Sequence, residues 1–127
     1  MILNVAMIAL GAALGANLRY GLTLWATQRF GAAFPYGTLL INVLGSFLIG
    51  VVLMLAATRV PLGEPVRLLI VTGLLGGFTT FSSFSYEVYA LISAGSWGAA
   101  ALYVASSFGL GIVGVLCGVA LVRALPL

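Results

Sequence analysis

Polar residues are so sparse along this 127-residue chain that they divide it on their own. Apolar and small residues run over 3–26, 36–57, 66–92 and 98–122. Each run is close to the roughly 20 residues that a helix needs to cross the hydrocarbon core of a bilayer. Between them lie "TQRFGAAFP", "TRVPLGEP" and "SAGSW", which gather turn-forming residues together with several of the charges. The pattern predicts an all-α membrane protein with four transmembrane helices in a single domain, residues 1–127, and leaves no room for a soluble domain.

Inside the spans the few polar residues fall into register. Thr38, Asn42 and Ser46 recur at i, i+4 and i+8 on one face of the second span. Tyr103, Ser107 and Gly111 keep the same spacing in the fourth, with Ser106 beside them. Polar groups in hydrocarbon are costly and face protein or water. A single serine or threonine can return its hydroxyl to a carbonyl of its own helix. Asn42 carries two donors and a carbonyl, more than one helix turn satisfies, so it is either glue between helices or a donor lining a pathway.

The third span holds the densest signal, "TGLLGGFTTFSSFSYE" at residues 72–87. Gly73, Gly76 and Gly77 each disfavour helix by up to roughly 1 kcal/mol relative to alanine. We expect a helix broken in mid-span here, with carbonyls around Gly76 to Thr79 released as hard oxygen ligands for a small cation. The alternative is an intact helix whose glycines serve close packing. Beyond this point Phe81 and Phe84 lie at i and i+3, and Thr80, Ser83 and Glu87 line a neighbouring face. Ring edges are electropositive and can contact an anion. The polar residues from Thr79 to Ser85 are all hydroxyl donors, which suits a small, strongly hydrated anion. The ordinary role of two phenylalanines in a membrane helix is lipid or core contact.

Composition narrows the chemistry. The chain is 63% hydrophobic and 6% charged, which excludes an ordinary soluble domain. It has no histidine, lysine or aspartate, so imidazole metal sites and Ser-His-Asp arrangements are absent and an enzyme is not expected. Its five arginines and two glutamates are scattered, which gives no reason to expect nucleic acid as a partner. Cys117, the single cysteine, reads as packing. No positive charge precedes the first apolar run, so the N-terminal segment reads as an uncleaved helix rather than a signal peptide.

With four spans the termini share one side, which also receives Arg59, Arg67 and Arg123. The other side has Arg29 and, from the end of the first helix, Arg19. The positive-inside rule favours cytoplasmic termini by so small a margin that insertion in both orientations is open. Four helices enclose a polar pathway poorly. Gly11 with Gly15, and Gly114 with Gly118, form GxxxG pairs that bring helix backbones together, either between copies or within one chain.

With these residues in view, the chain resembles the small fluoride channels called Fluc or CrcB over essentially its whole length. The resemblance rests on "GAALGANLRYG", "PYGTLLINVLGSFLIG" and above all "GLLGGFTTFSSFSYE", with Tyr103 and Ser107 as a weaker match in the fourth span. It implies a dual-topology homodimer of antiparallel copies in the inner (plasma) membrane. Two pores would pass fluoride passively out of the cytoplasm, reducing its toxicity. A structural sodium ion would sit at the dimer centre on the backbone carbonyls of Gly76 and Thr79. The resemblance places Phe81, Phe84 and Asn42 on the fluoride path, with Thr38, Thr80, Ser83, Tyr103 and Ser107 as its polar track. Arg19 matches a vestibule arginine, and Glu87 the acidic residue after the phenylalanines. Gly111 departs from relatives that carry a further hydroxyl there. The runner-up is a proton-coupled exporter of the small multidrug resistance type, which depends on a glutamate in the first span; here that span has no acidic residue.

Overall fold

The computed structural model describes residues 1–126, and all its regular structure is helical. Four stretches are long and apolar enough to cross a membrane: Ile2–Phe30, Tyr36–Thr58, Glu64–Ser93 and Trp97–Ala124. They form α1 (Ile2–Phe30), α2 (Tyr36–Thr58), a composite third span and α6 (Trp97–Ala124). The third span comprises α3 (Glu64–Arg67), a π-helical segment (Leu68–Leu75), α4 (Gly76–Phe78) and α5 (Phe81–Ser93).

The helices overrun the apolar stretches for local reasons. α1 continues through Thr27, Gln28 and Arg29 until Gly31, whose φ of 79° only glycine adopts cheaply. The third span starts at Glu64 because Pro65 falls in the first turn, where its missing N–H costs nothing. Gly95, at φ 77°, makes the turn between α5 and α6.

The glycines expected to break the third span do not do so. Gly73 lies in the π segment and Gly76 and Gly77 in α4, and helical winding persists through Phe78. Extended backbone occurs instead at Thr79 (φ −82°, ψ 156°) and Thr80 (φ −151°, ψ 122°). Gly73 and Gly77 serve close approach: an added Cβ would stand 2.8 Å from the Ile8 carbonyl at Gly73 and 2.7 Å from that of Ala12 at Gly77. From the facing helix, Gly11 and Gly15 press on the backbones of Leu69 and Leu74.

The same device joins α2 to α6. A Cβ on Gly50 would lie 2.5 Å from the Val115 carbonyl, one on Gly114 would lie 3.1 Å from that of Val43, and Gly118 rests on Phe47. Both GxxxG pairs therefore make contacts within one chain. α1 packs along the π segment and α4, α2 along α6, and α5 leans on α6. Large apolar side chains such as Leu10, Leu14, Leu102 and Leu116 point outward, as lipid-facing residues do.

Candidate functional site

Asn42 organises the site by pairing with the main chain of Thr80 in both directions. Its Nδ2 donates to the Thr80 carbonyl at 3.0 Å, and its Oδ1 accepts from the Thr80 N–H at 2.9 Å. An extended residue between two helices has no ladder to satisfy it, and the amide replaces one. Gly45, one turn further along α2, is small enough to let the Thr79 methyl lie against the helix. Asn42 keeps one N–H unspent.

Two carbonyls are released by these bonds. In a continuous helix the Thr80 N–H would bond the Gly76 carbonyl and the Ser83 N–H that of Thr79. The first goes to Asn42, and the second to Thr80 Oγ1 at 3.2 Å, which caps α5. Gly76 and Thr79 thus share the property that a hard cation requires of its ligands: neutral oxygens free of helical donors. Thr79 directs its hydroxyl to the Leu75 carbonyl at 2.9 Å. Arg19 Nε donates to the Gly77 carbonyl at 3.0 Å and so ties α1 to the end of α4.

A second cluster surrounds Glu87. Thr38 Oγ1 donates to one carboxylate oxygen at 2.7 Å and the Tyr103 hydroxyl to the other at 3.0 Å. Thr38 is 6% exposed and Tyr103 fully buried, so three spans meet at this carboxylate. The Tyr103 ring lies 5.1 Å from that of Phe84, and Phe84 lies 5.6 Å from Phe81.

Two open clefts divide the sequence candidates. One, of about 360 Å³, is lined by Asn42, Gly76, Thr79, Thr80, Phe81, Phe84 and Ser107, with Gly45, Ser46 and Phe108. The other, of about 370 Å³, is lined by Arg19, Thr38, Thr80, Ser83 and Glu87, with Tyr20 and Thr23. Thr80 borders both, and its hydroxyl donates to that of Ser83 at 3.2 Å. Tyr103 lines neither, but stands against Phe84 and bonds Glu87. Ser107 Oγ is buried and, among the described residues, has no hydrogen-bond partner. In the first cleft every polar side chain is an amide or a hydroxyl, and the carboxylate lies in the second.

The profile of the family described as "CrcB-like protein, Camphor Resistance (CrcB)" matches residues 6–119. The chain belongs to the CrcB family. CrcB relatives include a protein of Roseiflexus sp. (strain RS-1), 65% identical over 124 residues that cover 98% of this chain and 100% of the relative. One from Chloroflexus aurantiacus (strain ATCC 29366 / DSM 635 / J-10-fl) is 58% identical over 94% of this chain and 95% of its own length. One from Rhizobium etli (strain CIAT 652) is 47% identical over the same shares. All three are named "Fluoride-specific ion channel FluC". This CrcB protein is thus a multi-pass membrane protein of an ion-channel family, not an enzyme.

Two features of the site were given no site role from the sequence. Ser46 was legible as the third member of the α2 stripe, and its place in the cleft follows from that register. The Gly77 carbonyl carried no side-chain signal, since it gains its role only from Arg19 on another helix.

Proposed function

We propose that the protein is a fluoride-selective channel that lets the anion leave the cytoplasm down its gradient across the inner (plasma) membrane. The observation that carries the reading is that every polar side chain lining the first cleft is an amide or a hydroxyl able to donate, with the buried Ser107 hydroxyl uncommitted in the same cleft as Asn42. Fluoride gives up water reluctantly. A path for it must replace lost hydration with N–H and O–H groups, and in the first cleft no carboxylate competes for them. The start of α5 adds the positive end of a helix dipole, and Phe81 and Phe84 offer ring edges.

In this reading the third span works as a broken helix, parted at Thr79 and Thr80. Two antiparallel copies complete the site. Their Gly76 and Thr79 carbonyls hold a structural sodium ion, whose charge favours an anion nearby. Thr38, Thr80, Ser83, Tyr103 and Ser107 form the polar track, and Arg19 stands at its vestibule.

The test is fluoride efflux from liposomes under a potassium gradient with valinomycin. Purified protein should release fluoride and leave chloride behind. Equal release of both anions would refute the selectivity.

A further inference from the structure

Gly111 differs from the other α6 glycines that face α2. Gly114 and Gly118 sit against the α2 backbone, whereas a Cβ built on Gly111 would meet a single neighbour within 4 Å, the Ser46 hydroxyl at 3.6 Å. That is ordinary contact, so backbone packing does not demand a glycine here. What the missing side chain leaves open is the space beside Ser46.

Ser46 lines the same cleft as Asn42 and Ser107. Its hydroxyl donates to the Asn42 carbonyl at 2.7 Å, a bond within its own helix. That carbonyl also faces the Ser46 N–H of the α2 ladder, so the hydroxyl can turn away without leaving it unpaired. Opposite, the Ser107 hydroxyl has no partner among the described residues, and Asn42 retains one N–H. Three donors from two helices thus border one space, with no carboxylate among the residues that line it.

We infer that Ser46 is a further anion-contacting residue, whose hydroxyl turns from the Asn42 carbonyl to the anion beside Ser107, and that Gly111 keeps this position open. The inference rests on the fluoride reading and extends its path along the seam between α2 and α6.

Fluoride efflux from liposomes tests it with four proteins: wild type, Ser46→Ala, Ser46→Thr and the double variant Ser46→Ala with Gly111→Ser. Ser46→Ala should slow efflux about tenfold, the factor that one hydrogen bond to an ion is worth. It should also elute and melt like wild type, since it removes only a back-bonded hydroxyl. Ser46→Thr should retain most of the flux. The double variant should recover it, because a hydroxyl at 111 arises within reach of the same space. Wild-type flux in Ser46→Ala would overturn the inference, and so would a loss that neither hydroxyl restores, which would assign Ser46 to packing. Absence of fluoride flux in the wild type would overturn the fluoride reading itself.

Discussion

At the scale of single residues, Asn42 and Ser107 face one cleft but differ in what they hold. Asn42 satisfies both main-chain groups of Thr80, and without it a donor and an acceptor are stranded at membrane depth. Ser107 satisfies nothing. Asn42→Ala should therefore lower stability by about 2 kcal/mol or more and slow fluoride flux as well. Ser107→Ala should leave stability unchanged or slightly higher while slowing flux about tenfold. Thermal unfolding in detergent, paired with liposome efflux, separates the two. Equal loss of stability in both variants would remove Ser107 from the path and return it to packing. Asn42 stood out in the sequence because no helix turn satisfies an amide. The uncommitted hydroxyl of Ser107 was not legible, since it depends on which groups the other helices bring near.

At the scale of elements, the four spans followed from the apolar runs, whereas the helices run past the expected bounds at 26 and 66 to ends set by Gly31 and Pro65. The third span divided less well. Gly73, Gly76 and Gly77 are poor helix formers, and breaking and close packing make the same demand on sequence, a residue without a side chain. The choice is settled by α1, whose Ala12 backbone lies where a Cβ on Gly77 would go. Likewise, no local pattern marks the π winding of Leu68–Leu75 or the extended backbone at Thr79 and Thr80, which Asn42 supports from a different helix. A consequence is that Gly77→Ala should cost about 1–3 kcal/mol through overpacking against α1. Gly109→Ala, where a Cβ meets nothing within 4 Å, should be neutral or slightly stabilising. Melting temperatures of the two variants in one detergent check the contrast. A neutral Gly77→Ala would show that the α1 seam yields, and would weaken the case that α1 fixes the position of the neighbouring carbonyls.

At the scale of the whole molecule, the proposed reading has two copies complete one site. Phe81 is 70% exposed, and the donor-lined cleft is open at the depth of the membrane core, where unsatisfied polar groups are expensive. The two GxxxG pairs are spent inside the chain and are not available to join copies. On the proposed reading the copies meet at the face that carries Thr79, Thr80 and the exposed Phe81. In the proposed site each chain contributes two of its released carbonyls, those of Gly76 and Thr79. Hard cations commonly take about six oxygens, so a second copy meeting the first at this face would bring an ion much nearer its preferred number. On the proposed reading, the cation and the dimer therefore stand or fall together, and the cation supports the anion path by its charge. Purifying and reconstituting the protein with sodium replaced throughout by N-methylglucamine should abolish fluoride efflux, and adding sodium back should restore it. The large organic ion cannot approach carbonyls at ligand distance. Undiminished flux without sodium would dismiss a structural cation at Gly76 and Thr79 and leave their released carbonyls to water or to the partner chain's own donors.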